Sequence, residues 1–228
     1  MDNNVKGFLV SFLSKLERAK VDCLILRGYD DLPDIVHNDV DFFVSKNSHL
    51  EFFDLLTSTA EEYDAIIDTV LERQGVRKLL ISAPSFILHL DYWFELTFLG
   101  LKYLDSKSLL TNKINHKTEL FSIPSPAYEF QVSFLKEILH NQIVRKDKHT
   151  HLTDLYSRAH FSRNDFIYKL VNNGTVDKAL KYGPSKNIIM FIRVFIGLFT
   201  FNMIQYGVIN TLSSIKKFIA IKYLKRRA

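Results

Sequence analysis

Between residues 4 and 20 the chain places Val5, Phe8, Leu9, Phe12, Leu13 and Leu16 on one side of a helical wheel. Lys15, Glu17, Arg18 and Lys20 fall mostly opposite, so the pattern predicts an amphipathic helix lying on a body. The period then changes to two. Asp22 to Leu26 reads as a short apolar strand ended by Gly28, and Tyr29 to Asn38 as an acidic loop carrying Pro33. Asp39 to Ser45 predicts a second strand, with Asp39, Asp41 and Phe43 on one face and Val40, Phe42 and Val44 on the other. Asn47 or Ser48 is placed to cap a helix running to about Tyr63, with Leu50, Phe53, Leu56 and Ala60 inward. Ala65 to Leu71 and Val76 to Ser82 follow as strands joined through Arg73, Gln74 and Gly75. Phe86 to Phe94 alternates Phe86, Leu88, Leu90 and Tyr92 against Ile87, His89 and Asp91. A short helix from Asp105 to Leu110 and an edge strand from Glu119 to Ile123 complete this part.

After Pro124 and Pro126 the period stays helical. Helices are expected over Ala127 to Asn141, Thr150 to His160, Ser162 to Asn172 and Thr175 to Lys181, punctuated at Asn173-Gly174 and Gly183-Pro184. A long apolar helical stretch follows from Ser185 to Leu224, with a break near Gly207. This order predicts an α+β protein: a small mixed β-sheet with flanking helices, followed by an all-helical C-terminal lobe. The expected divisions are an α+β domain over 1–123, a helical lobe over 124–184 and an apolar, basic helical tail over 185–228.

Composition supports a packed protein: 47% of the 228 residues are apolar and 24% charged. The net charge of +5 conceals a polarity. All 25 acidic residues lie at or before Asp177; with twenty basic residues there, that part carries −5, and the last 51 residues carry ten basic residues and no acid. This is not the pattern of a general nucleic-acid binder. The lone Cys23, in an apolar strand, has no partner for an internal disulfide and reads as a small core residue. The opening MDNNVKG lacks the basic and apolar regions of a secretory leader, so a reducing, cytoplasmic setting is expected.

The pair Asp39 and Asp41 is the candidate chemistry. Two carboxylates at i and i+2 on a strand share a face and repel unless a cation or proton is shared between them. Hard divalent cations are bound through a few carboxylates plus substrate phosphates, and a cation so held assists displacement at phosphorus. Asp91 lies on an otherwise core-like strand and is the natural third ligand. The competing reading for each is a solvated acid at a strand surface. No P-loop, Rossmann glycine fingerprint, HExxH, cysteine zinc pattern or Gly-x-Ser-x-Gly elbow occurs.

Strand, Gly28, acidic loop, Asp-x-Asp and a later strand aspartate together resemble the nucleotidyltransferase superfamily, which shares the DNA polymerase beta fold. More narrowly, LRGYDDLP…NDVDFFV, LHLDYW…GLKYLD and SIPSPAYEFQVSFLKEILHN are similar to nucleotidyltransferase-like proteins of bacterial surface-polysaccharide gene clusters, over residues 20–160. The resemblance implies a transferase using Mg²⁺ or Mn²⁺. It assigns Asp39 and Asp41 to the metal, Asp91 to metal and general base, and Arg27, Gly28, Tyr29 and Lys136 to nucleotide phosphates. His89, two residues from Asp91 on the same face, reads either as outer support for a metal or as a structural histidine, and Lys146 and Lys148 are further basic candidates. The implied partners are a nucleotide or nucleotide-sugar donor and a sugar or glycan acceptor, with no nucleic acid. Tyr29 stands where the superfamily usually has serine or glycine, so a catalytically silent binding or assembly module at the membrane surface is the alternative reading.

The tail bears on location. Residues 188–209 are as long as a membrane span, yet carry Arg193, Asn202 and Gln205; beyond them Lys216, Lys217, Lys222, Lys225, Arg226 and Arg227 alternate with apolar residues. Four readings stand: attachment to an anionic membrane surface, which would make the protein peripheral at the inner membrane; packing on the helical lobe; a homodimer contact; and, least favoured by Arg193, Asn202 and Gln205, a membrane span.

Overall fold

A computed structural model describes residues 3–37, 39–73, 75–161, 165–170, 173–181 and 188–224. The α+β class is as expected. The chain forms two compact units, Met1–Glu95 with Ser106–Pro124, and Leu96–Asp105 with Ser125–Ala228.

The first unit is built on a five-stranded sheet of order β1-β2-β5-β4-β3. Its strands are β1 (Cys23–Arg27), β2 (Asp39–Val44), β3 (Ile66–Arg73), β4 (Val76–Ala83) and β5 (Phe86–Trp93). β1 runs antiparallel to β2, β2 parallel to β5, and β5, β4 and β3 form an antiparallel meander. Gly75, at φ +83°, closes the β3–β4 turn, and a Cβ there would lie 2.6 Å from the Glu95 carbonyl oxygen. Only glycine meets both demands.

One sheet face is covered by α1 (Asn3–Arg18) and α2 (His49–Glu62). Phe12, Phe42 and Phe52 meet at centroid distances of 5.2–5.8 Å, and Phe52 lies 5.1 Å from Tyr92. This cluster sets the roll of α2. It buries Phe52, Leu56, Thr59 and Ala60 and leaves Leu50 exposed, where the sequence pattern points Leu50 and Phe53 inward. The run Leu50 to Leu56 is apolar enough for either phase, and the aromatic partners on α1 and the sheet select one. Ser48 precedes α2 but makes no capping bond; its hydroxyl accepts from Ser45 Oγ instead. After α3 (Ser106–Thr111), β8 (Lys113–Asn115) and β9 (Ser122–Pro124) pair, the latter shorter than expected because Glu119, at φ +58°, belongs to the turn.

In the second unit β6 (Thr97–Phe98) and β7 (Leu101–Lys102) form a small hairpin. With them go α4 (Pro126–Lys136), α5 (Lys146–Arg158), α6 (Phe166–Leu170), α7 (Asn173–Lys181), α8 (Ile188–Tyr206) and α9 (Val208–Leu224). Residues 137–141 continue α4 as one π turn. Glu137, at its start, is buried and receives Arg145 Nε at 2.9 Å, Arg145 Nη2 at 2.9 Å, the Arg145 amide at 3.2 Å and Asn141 Nδ2 at 3.1 Å. Asn173 starts α7 rather than separating two helices. The expected break at Gly183-Pro184 lies outside the described residues, whereas the break between α8 and α9 falls at Gly207, φ +83°.

Candidate metal centre

The sheet face opposite α1 and α2 carries a row of charges that crosses four strands. In the β2–β5 pairing Asp41 lies beside Asp91, and in β5–β4 Asp91 lies opposite Lys78. Arg27 is the partner of Asp41 on β1. Regular alternation would not put Arg27 there: Ile25 pairs with Phe42 and faces the helices, and Arg27 would share that face. A bulge at Leu26 inserts one residue and turns Arg27 to the acidic face.

The expected convergence of Asp39, Asp41 and Asp91 is present. One carboxylate oxygen from each lies within 4.8 Å of the others, with Asp41 and Asp91 buried and Asp39 exposed. Asp41 receives Trp93 Nε1 on Oδ1 at 3.1 Å and pairs with Arg27 through Oδ2. Asp91 pairs with Lys78 through Oδ2. Burial pushes the Asp91 carboxyl above the ordinary carboxylate range. Lys78 opposes the shift, and Asp41 and Asp39 add to it. Three acids against two bases leave this row with one excess negative charge when all are ionised, in a partly desolvated place. Three hard oxygen donors at this spacing suit a hard divalent cation, and their repulsion is what such an ion relieves.

Gly28 follows β1 at φ +68°, and nothing lies within 4 Å of the position a Cβ would take, so its backbone borders open space. Tyr29 does not: it is buried with the core and meets His116 edge-on at 5.9 Å. His89 is exposed and is the Cα partner of Asp39. Lys136 ends α4, and Lys146 and Lys148 are exposed in the first turn of α5, all in the second unit.

Lys78 and Trp93 are the members of this cluster that sequence reasoning missed. Lys78 alternates in phase with Val76 and Leu80, and Trp93 stands two residues after Asp91, so each shares a face with its carboxylate. That parity was readable. The register that brings them into contact was not.

No protein-family model matches the chain, and no curated protein does. Two solved structures from Helicobacter pylori are similar in shape. One is the crystal structure of JHP933, at 10% identity and TM-score 0.36, covering 98% of this chain and 96% of that one. The other is described as a "putative nucleotidyltransferase", at 11% identity and TM-score 0.37, covering 96% and 97%. At such identity and TM-score neither likeness carries an argument about activity.

Proposed function

We propose that this chain is a metal-dependent nucleotidyl or related phosphoryl-group transferase serving surface-polysaccharide assembly. The observation that supports it most is the meeting of Asp39, Asp41 and Asp91 within 4.8 Å on adjacent parallel strands. These three residues would hold Mg²⁺ or Mn²⁺. Bound there, the cation supplies charge neutralisation to the phosphates and lowers the barrier to displacement at phosphorus. Gly28 lets the donor phosphates approach the backbone. Arg27, tethered to Asp41 and partly exposed, contributes positive charge beside that approach. Asp91 keeps Oδ2 against Lys78 and accepts the acceptor hydroxyl's proton on Oδ1. The polysaccharide setting, with a nucleotide-sugar donor and a glycan acceptor, rests on the motif resemblance alone.

A second reading is favoured by one observation. Arg27 and Lys78 already neutralise Asp41 and Asp91 from within the fold, which suits a silent module that needs no metal. The deciding experiment measures melting temperature and transfer with Mg²⁺ or Mn²⁺ across a panel of nucleotides and nucleotide sugars, in the native chain and Asp39→Asn. Transfer that falls by about 100-fold or more in a folded Asp39→Asn chain supports the enzyme. No cation-dependent stabilisation in the native chain removes the metal centre. Cation binding without turnover of any donor leaves the silent module.

A further inference from the structure

Helix α8 is apolar on both sides. Met190, Val194, Leu198 and Asn202 form its buried stripe. On the opposite side Ile188, Ile189, Ile192 and Ile196 fall within about 100° of one another and are exposed. Its mean hydropathy is 1.8, yet only 22% of that apolar window is buried. Helix α9 repeats the arrangement. Val208, Ile209, Leu212 and Ile219 lie exposed within about 100° of one another, with exposed Lys216 in the same arc and exposed Lys217 about 80° beyond it. From Lys178 to the end of the chain there is no acidic residue.

We propose that the outer faces of α8 and α9 are a docking surface for an anionic lipid bilayer, on which the second unit lies without crossing it. The apolar side chains enter the acyl boundary while Lys216 and Lys217 reach the phosphates of the headgroups. Three features favour this occupant. First, α8 is not free to span. Gly197 packs so closely that a Cβ would stand 2.8 Å from the Leu170 carbonyl oxygen. Asn202 accepts from the Lys102 amide at 3.0 Å and donates to the Lys102 carbonyl at 2.9 Å. These contacts hold one face of α8 to its own unit and leave the other outward. Second, a two-fold contact with another copy places the same patch against itself. Lys216 and its cationic segment would meet their equals, with no acid on the segment to pair them. Third, an apolar stripe with lysines within and beside it, and no carboxylates, is complementary to an anionic headgroup layer. The inference does not depend on the transferase reading, and its test uses no catalytic readout.

The test is flotation of the full chain with phosphatidylcholine vesicles, with and without phosphatidylglycerol, at low and high salt. The chain should float with the anionic vesicles and be released by high salt. The Lys216→Glu/Lys217→Glu double variant should partition at least about tenfold less, from roughly fivefold per lysine near the surface. Ile192→Glu/Ile196→Glu should lose binding while keeping its melting temperature, since both sites are exposed. If that variant unfolds, the lysine variant decides alone. Failure to float, equal binding to neutral vesicles with no effect of the lysine substitutions, or resistance to alkaline extraction overturns the proposal. So does a dimer in light scattering that Ile192→Glu/Ile196→Glu dissociates in a chain that does not float.

Discussion

Two buried carboxylates, one in each unit, are met by their surroundings in opposite ways. Asp91 in the first unit and Glu137 in the second are both almost wholly removed from water, and each has a basic partner. Burial raises the Glu137 pKa, but the bonds from Arg145 and Asn141 outweigh it, and the carboxyl is held below its ordinary 4.5. At Asp91 burial prevails: one lysine does not offset desolvation and two like charges, and the carboxyl lies above 3.8. Glu137 has been satisfied by the fold, with four donors closing its two oxygens. Asp91 has been left wanting positive charge. A protein that only needed stability would have treated both alike, so the contrast marks the first unit as the place where a cation is expected.

The largest effect should come from Glu137→Ala. It leaves Arg145 without its partner and opens a buried site, at a cost of about 3 kcal/mol. This is the low end for a buried pair because Arg145 is half-exposed; urea unfolding measures it. The sign with pH follows. Because the folded pKa of Glu137 is lowered, its contribution is fully present above 4.5 and fades as pH falls through the folded value. Glu137→Gln should therefore flatten the acid limb of the stability curve.

Asp91→Asn should do nearly the reverse. Without metal it changes stability by less than about 1 kcal/mol, since it removes like-charge repulsion while Lys78 can turn to solvent. It should also abolish the stabilisation of about 2.7 kcal/mol expected from Mg²⁺ at 100 times its dissociation constant. A large loss in the metal-free state would erase the contrast with Glu137. Lys78→Met should tighten divalent-cation binding severalfold, as an internal competitor is removed; calorimetric titration reads it. The smallest expected effect is on pH. The raised pKa of Asp91 means that its ionised form costs stability, a cost absent below 3.8 and present once pH has risen through the folded value. Metal binding competes with that proton, so Mg²⁺-induced stabilisation should weaken as pH falls through the folded pKa of Asp91.

The alternation of polar and apolar residues made the two aspartates of β2, and the parity of Asp91 on β5, legible in the sequence. Gly75 announced the β3–β4 turn, and Gly207 the break between α8 and α9. Strand order was not legible. β5 inserts between β2 and β4, and a period of two names the face of a residue but not its neighbour. Lys78 and Trp93 were missed for that reason. The roll of α2 was missed because Leu50 and Phe52 are equally apolar, and only the rings of Phe12, Phe42 and Tyr92 distinguish them. The burial of Tyr29 escaped notice because a residue after a glycine turn is free to point either way.

The bulge at Leu26 makes the length of β1 a counter of charge. Inserting one residue between Cys23 and Leu26, with the pairing of Cys23 and the bulge retained, would carry Arg27 past Asp41 to the position opposite Val40 and send its guanidinium toward the packed rings of Phe12 and Phe42. Asp41 would lose its nearest cation in the same step. Side-chain chemistry at this position is therefore specified twice, once by the codon for arginine and once by the number of codons before it, and a single in-frame insertion would disable the second while leaving the first intact.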